Sequence, residues 1–113
     1  MPEPREDCLF CTLVREGDHV RAADGFVAIA DINAQTPVHL VVLPERHVDT
    51  FRDIGEFGDD EAKRMLEFVA DTAAKAGLTD YRLVVNVGPG AGQTVFHLHW
   101  HVLGGLQMGD SIL

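Results

Sequence analysis

Histidines alternate with apolar residues in the run His97-Leu98-His99-Trp100-His101. A β-strand rises about 3.3 Å per residue and turns successive side chains to opposite faces. The run therefore predicts a strand over 95–103 with the three imidazoles on one face, each roughly 6–7 Å from the next. The other face is expected to pack against a helix, and it carries Phe96, Leu98, Trp100 and Val102. The histidine face must then border a polar cleft or a bound ligand, because buried imidazoles lose hydration.

Two kinds of chemistry fit a row of imidazoles, a metal site and a phosphate site. Zinc accepts three histidines, but alternate positions of a flat strand spread the rings over about 13 Å, so that two of them could share an ion only with ligands from elsewhere. In a phosphate site one ring attacks phosphorus while its neighbours hydrogen-bond the oxygens. The glycine-rich loop over 88–92 favours the phosphate interpretation, since glycine lets backbone N–H groups approach an anion closely.

The rest of the chain predicts an α+β domain that spans residues 1–113. Strands are expected at 19–23, 26–30, 38–43, 81–87 and 95–103, with a short helix over 8–16 and a long helix over 59–76. Consecutive strands mostly lack the helical crossovers that parallel pairing requires. The five strands should therefore form an antiparallel sheet.

Composition excludes several classes of partner. Hydrophobic residues make up 46% of the 113 residues, enough for a core, and the formal net charge is −9. That charge argues against a surface for nucleic acid polymers or for anionic membranes. No run approaches the roughly 18 apolar residues of a membrane span, and the first residues lack the layout of a signal peptide. A cytoplasmic protein is the expectation.

Cys8 and Cys11 form a C-x-x-C pair. A structural disulfide is disfavoured in a cytoplasmic chain. The spacing is typical of half a zinc site or of a redox pair, and it also fits two small hydrophobic residues on one turn of a helix. The spacing alone does not decide among these three.

The chain resembles the histidine-triad (HIT) superfamily over residues 7–106. The run 97–103 fits that family's alternation of histidine with apolar residues, and Asp7–Cys11 looks like its N-terminal CxFC segment. Residues 31–44 with His47 resemble its central strand and turn, and 86–105 resemble its phosphate loop and triad strand. The branch of histidine-triad nucleotide-binding proteins, which are purine nucleoside phosphoramidases, is the most similar. The resemblance implies the HIT fold and a homodimer with one continuous sheet.

The resemblance also implies a role for individual residues. His99 would be the nucleophile that forms a nucleotidyl-imidazole intermediate, and the backbone carbonyl of His97 would hold its ring. His101 would stabilise charge on the phosphate, and Thr94, where the family usually has serine, would lie near the leaving group. The expected substrate-binding residues are His39 beside the phosphate, Asp31 at the ribose hydroxyls, Asn86, Gly92 and Gln93 at the phosphate loop, and Ile32, with Ile29 and Phe26, at the base.

In family members with a CxFC segment, the cysteines resemble zinc ligands that two histidines complete. The implied structural zinc site consists of Cys8, Cys11, His47 and His97. Such a set closes the tetrahedral coordination of the ion, which leaves catalysis to His99. No organic cofactor is expected.

The implied function is hydrolysis of the P–N bond in purine nucleoside 5′-phosphoramidates or adenylylated amines. One alternative is a dinucleoside polyphosphate hydrolase or nucleotidyltransferase on the same scaffold. Another is a nucleotide-binding regulatory protein with negligible turnover. A zinc-stabilised interaction module would make the histidine triad incidental.

Overall fold

A computed structural model describes residues 8–109, so Asp7 of the CxFC-like segment lies outside the described residues. The five strands are β1 (Arg21–Ala23), β2 (Phe26–Ala30), β3 (Val38–Pro44), β4 (Tyr81–Val84) and β5 (Trp100–Gly104). The helices are α1 (Leu9–Glu16) and α2 (Glu61–Lys75), with 3₁₀ turns at Phe51–Glu56 and Pro89–Ala91. All strand pairs are antiparallel, in the order β1-β2-β3-β5-β4. This confirms the predicted α+β class and five-stranded antiparallel sheet.

The β1–β2 hairpin follows from its two turn residues. Asp24 and Gly25 have φ angles of 57° and 88°, which a tight two-residue hairpin requires and which aspartate and glycine tolerate best. Ala23 then pairs with Phe26, which sets the register of the edge strand. Strand β2 pairs in turn with β3, so that Val27 lies opposite Leu43.

Each face of the sheet covers a separate apolar cluster. On one face α2 packs onto the sheet, and its buried side chains are Met65, Phe68, Val69, Thr72 and Ala73. The strand residues in that cluster are Phe26, Ala28, Leu40, Val42 and Val102. On the other face α1 covers the remaining side chains of β2 and β3, which are Val27, Ile29, Val41 and Leu43. The candidate site lies on this second, α1-covered face.

The strand predicted over 95–103 is shorter than expected. β5 begins at Trp100, because the backbone of the preceding residues bonds to the loop after β3 instead of to a strand. The N–H of Leu98 donates to the carbonyl of Val48 at 2.6 Å. The ring of His97 donates to the carbonyl of Pro44 at 2.8 Å. The three histidines therefore do not lie in one flat row.

The apolar side of the same run is mostly as predicted. Leu98 and Val102 are buried in the cluster beneath α2, and Trp100 packs against it while partly buried. Phe96 is the exception, since 42% of its surface is exposed.

The strand predicted over 81–87 is also shorter than expected and ends at Val84. Among residues 8–109, no helix has the length and apolar character needed to cross a membrane.

Candidate active site

A cleft of about 540 Å³ opens on the α1-covered face of the sheet. Its walls come from α1, the end of β2, the turn that follows β2, and the glycine-rich loop. Its apolar lining consists of Leu9, Phe10, Leu13, Ile29, Ala30, Ile32, Val41 and Val95. Its polar lining consists of Asp31, Asn33, Gln35, His39, Asn86, Thr94, His99 and His101, together with Gly92. One cleft thus joins an apolar chamber to a row of imidazoles.

His99 has a fixed tautomer and lines the cleft. Its Nδ1–H donates to the carbonyl of His97 at 2.8 Å, which leaves the lone pair on Nε2. The Phe10 ring makes a T-shaped contact with the imidazole, with centroids 4.8 Å apart and planes at 90°. Burial lowers the pKa of His99, so the ring stays uncharged near neutral pH. An uncharged imidazole of fixed tautomer is what attack on phosphorus requires.

His39 and His101 form a hydrogen-bonded pair beside His99. The backbone N–H of Gln35 donates to Nδ1 of His39 at 3.0 Å, so the proton of that imidazole lies on Nε2. Nε2 of His39 lies 2.9 Å from Nδ1 of His101, which accepts this proton's hydrogen bond. The proton of His101 is then on its own Nε2. Asp31 lies near both rings, with Oδ2 at 3.4 Å from Nε2 of His39.

Burial lowers the pKa of His101 to about 4, and the neighbouring imidazoles of His99 and His39 act in the same direction. The ring is therefore uncharged at neutral pH and offers one N–H to the cleft. Its centroid lies 5.1 Å from that of His99, closer than alternate positions of a flat strand allow. His99 and His101 together can attack a phosphorus atom and hydrogen-bond one of its oxygens.

The predicted metal ligands converge in a buried cluster next to the cleft. One ligand atom each from Cys8, Cys11, His47 and His97 lies within 4.8 Å of the others. Sγ of Cys11 is 3.2 Å from Nδ1 of His47 and 3.4 Å from Nδ1 of His97, and Sγ of Cys8 is 3.5 Å from Nδ1 of His97. We call these four residues the Cys/His cluster.

Both imidazoles of the Cys/His cluster have the tautomer that metal binding requires. Nε2–H of His97 donates to the carbonyl of Pro44, and Nε2–H of His47 donates to Oδ1 of Asp49 at 2.5 Å. The lone pairs on the two Nδ1 atoms therefore face the thiols. Burial lowers the pKa of His97 to about 4, which keeps that lone pair available. Two sulfur and two imidazole ligands are a donor set that Zn²⁺ accepts.

The substrate-binding predictions divide into two groups. Asp31, Ile32, Asn86, Gly92 and Thr94 line the cleft, as does the base-pocket candidate Ile29. Oδ1 of Asp31 accepts the N–H of Asn33 at 2.8 Å, and the side-chain amide of Asn86 donates to the carbonyl of Ala91 at 2.9 Å. Ile32 is 96% exposed and lies at the rim.

Two predicted residues lie elsewhere. Gln93 is buried, and its amide bonds the backbone: Oε1 accepts from Gly88, and Nε2 donates to the carbonyls of Asp49 and Val95. It shapes the glycine-rich loop from behind and does not line the cleft, so its contact with phosphate stays a prediction. Phe26 is wrong as a base-pocket residue, because it packs against Phe68 beneath α2 on the opposite face.

The cleft residues that the sequence did not indicate come from α1 and from the sheet and loops beside it. Leu9, Phe10 and Leu13 line the cleft, and Val41 and Val95 complete the apolar chamber. The apolar face of this helix is visible in the sequence, but only the structure shows that the face covers the cleft. The contact of Gln35 with His39 is a backbone contact, so no side-chain pattern indicates it.

A family model of the HIT domain matches residues 13–108, which include His39, His99 and His101. The chain belongs to the HIT family. A HIT-like protein of Chlamydia pneumoniae is 43% identical over 90 residues, which are 76% of this chain and 79% of that protein. The purine nucleoside phosphoramidase of Escherichia coli K12 is 31% identical over 112 residues, 95% and 94% of the respective chains.

Solved HIT structures have the same fold as this chain. A histidine triad protein from Clostridium difficile has a TM-score of 0.87 at 30% identity, and the match covers 96% of this chain and 99% of that one. A HIT family hydrolase from Legionella pneumophila has a TM-score of 0.80 at 36% identity, over 91% and 96%. Relatives named as hydrolases support a hydrolase at the level of the family.

Proposed function

We propose that this HIT protein hydrolyses the P–N bond of purine nucleoside 5′-phosphoramidates or adenylylated amines. The observation that carries the proposal is His99, whose Nδ1–H is bound to the backbone while its ring lines the cleft. The phosphoramidase of Escherichia coli, similar over 95% of this chain, supports the same substrate class.

The chemistry follows from the two imidazoles. Nε2 of His99 attacks the α-phosphorus, and the new N–P bond forms as the P–N bond to the amine breaks. The departing nitrogen takes its proton from solvent water, so the amine leaves uncharged. Water then hydrolyses the nucleotidyl-His99 intermediate and releases the nucleoside monophosphate. Nε2–H of His101 hydrogen-bonds an oxygen on which negative charge develops. Thr94 contributes a hydroxyl from the same lining.

The apolar chamber supports a nucleoside as the rest of the substrate. Leu9, Phe10 and Leu13 of α1 face Ile29 and Val41 of the sheet across the cleft, a lining that suits a planar base. Asp31, at the junction between chamber and imidazoles, is a carboxylate able to accept hydrogen bonds from ribose hydroxyls.

The charge of the cleft favours a single phosphate over a polyphosphate chain. Among the described residues that line it, none is a lysine or an arginine. Phosphate recognition then depends on the imidazoles of His99 and His101 and on the hydroxyl of Thr94, and these are too few for several phosphates. This favours a phosphoramidate over a dinucleoside polyphosphate.

The test is hydrolysis of adenosine 5′-phosphoramidate, with diadenosine tetraphosphate as a second substrate. We expect release of AMP from the phosphoramidate, and a loss of at least about a thousandfold in His99→Ala. His19→Ala is the matched control, because His19 is an exposed histidine outside the cleft lining. Wild-type protein that binds AMP without turnover would indicate the nucleotide-binding alternative. Preferred cleavage of the tetraphosphate would indicate the polyphosphate alternative.

We further propose that the Cys/His cluster binds one structural Zn²⁺. The cluster is buried, its Nδ1 lone pairs face two thiols, and its outer N–H groups are held by Pro44 and Asp49. The bound ion would tie α1 to the loop after β3 without touching substrate. Metal analysis of purified protein should give about one zinc per chain, and Cys11→Ser should lose it.

We also propose that the partner in solution is a second copy of this chain. Tyr81 and Leu83 are exposed on β4, which forms one edge of the sheet. An exposed apolar edge strand is a surface that proteins usually cover. Sedimentation equilibrium should give twice the monomer mass, and a monomer would contradict the proposal. We propose a cytoplasmic location as well, which fractionation of the source cells would test.

A further inference from the structure

The helix α1 belongs to two sites at once. Cys8, its N-cap, and Cys11 supply both thiols of the Cys/His cluster. Between them lies Phe10, whose ring is 4.8 Å from that of His99 and 6.2 Å from that of His97. Phe10 therefore lies on the segment that the cluster holds at both ends.

The helix is too short to keep its position unaided. It has eight residues, whereas isolated helices below about 12–15 residues are marginal in water. Its N-cap is the thiol of Cys8, which accepts the N–H of Cys11 at 3.3 Å. Sulfur is a weak acceptor, so this cap stabilises the helix less than a serine or aspartate cap does. Attachment to the sheet must come from side chains.

Apolar packing of Phe10, Leu13 and Val14 holds part of the helix on the sheet, but the polar attachment of its first turn is strong only with an ion present. Nδ1 of His97 faces the sulfur atoms of both Cys8 and Cys11, at 3.5 and 3.4 Å. A thiol is a weak hydrogen-bond donor, and a single lone pair cannot bind two donors well. One ion bound to all four residues replaces these weak contacts with four strong ones. Metal binding of this kind contributes directly to the stability of the segment it closes.

We propose that the metal occupancy of the Cys/His cluster sets nucleotide affinity, by holding α1 in place as the apolar wall of the cleft. This inference rests on the proposed nucleotide substrate and the proposed zinc site. With the ion bound, Leu9, Phe10 and Leu13 are fixed against the chamber. Without it, apolar packing alone holds the first turn of α1, and the wall that α1 supplies to the base loosens.

The experiment measures AMP binding by calorimetry in zinc-loaded and chelator-stripped wild-type protein, with amide hydrogen exchange over residues 9–16. We expect the Kd for AMP to rise about tenfold or more on stripping. The free energy lost with the apolar contacts of α1 exceeds the free energy that corresponds to a tenfold change in Kd. Exchange over residues 9–16 should accelerate while exchange in α2 stays slow. Val69→Ala is the control: it weakens the core beneath α2 and should leave the response to zinc unchanged.

Cys8→Ser keeps the test decisive if stripped wild-type protein unfolds. Serine is a good N-cap, so the variant preserves the helix start while it removes one metal ligand. Its AMP affinity should be low without zinc and rise as zinc is added. Affinity equal to that of wild type at every zinc concentration would overturn the inference.

The possible failures are distinguishable. Equal AMP affinity in loaded and stripped protein overturns the inference and leaves the proposed function intact. No AMP binding by the loaded protein overturns the proposed function, and the inference with it. Absence of zinc binding overturns the proposed zinc site and the inference, while hydrolysis of adenosine 5′-phosphoramidate remains a separate result.

Discussion

Two histidine clusters lie side by side on the α1-covered face, and they differ in where the imidazole protons are. In the Cys/His cluster the protons of His47 and His97 are on Nε2 and point away from the thiols. The second cluster consists of Asp31, His39 and His101. There a proton lies on Nε2 of His39 and points to Nδ1 of His101, so it occupies the space where a metal ion would bind. Both clusters bring their ligand atoms within 4.8 Å of one another.

The difference shows that proximity of ligand residues does not define a metal site. A metal at Nε2 of His39 would require the proton to move to Nδ1, where the N–H of Gln35 already points at 3.0 Å. Two donors would then face each other. The backbone thus favours a hydrogen-bonding role for the second cluster and a metal role for the first. The predictions below test this division of roles.

Removal of the metal should have the largest effect, on stability as well as on AMP affinity. A ligand present at a thousand times its Kd stabilises the folded state by about 4 kcal/mol, and we expect a loss of at least that size. Thermal unfolding of loaded and chelated protein at pH 7 measures it. Cys11→Ser should resemble the chelated protein. If Asp31→Asn lowered zinc content as much as Cys11→Ser, the two clusters would not differ as proposed.

Replacement of His101 should affect turnover and leave the metal in place. His101→Ala removes an N–H that hydrogen-bonds the developing charge, and we expect kcat for adenosine 5′-phosphoramidate to fall about a hundredfold. Zinc content should stay at the wild-type level. Steady-state kinetics and metal analysis of the same preparation check both statements. Zinc loss in this variant would show that the clusters act as one site.

The fold was predictable because its signals are local. The Asp24-Gly25 turn and the helical spacing of α2 with Gly77 after it are contained in short segments. The alternation of His99 and His101 likewise predicts that both rings share a face. These features need no information about distant parts of the chain.

The site was only partly predictable because its remaining features depend on distant contacts. Residues 95–99 leave the strand because Leu98 and His97 bond to the backbone of Val48 and Pro44, about fifty positions earlier. Gln93 turns away from the cleft because its amide meets the carbonyl of Asp49. No pattern within the glycine-rich loop indicates those partners.

Acid should destabilise the protein partly through His101. Burial holds the pKa of this ring at about 4 against the ordinary 6.5, with His99, His39 and Asp31 as its charged or titratable neighbours. Between these values the unfolded chain binds more protons, so the free energy of unfolding falls as pH falls from about 6.5 to about 4, by up to about 3 kcal/mol. Urea unfolding across this range should show a shallower fall in His101→Gln.

His19→Gln provides the control for this pH dependence, because it makes the same substitution at an exposed histidine and leaves the buried imidazoles in place. Its stability should follow the wild-type curve. A slope in His101→Gln equal to that of wild type would show that this ring has no part in the acid response.

The smallest expected effect is on zinc affinity, through the carboxylate of Asp49 that hydrogen-bonds His47 of the Cys/His cluster. Oδ1 of Asp49 accepts the Nε2–H of His47, and such a carboxylate fixes the ring and raises the basicity of the nitrogen that faces the metal. Asp49→Asn should weaken zinc binding about tenfold, measured by competition with a chelator. Asp80→Asn makes the same change of charge at an exposed position and should have no effect. Since Asp31→Asn alters the carboxylate of the second cluster, it too should leave zinc affinity unchanged. Equal weakening by Asp31→Asn and Asp49→Asn would mean that general charge, and not the orientation of His47, determines metal affinity.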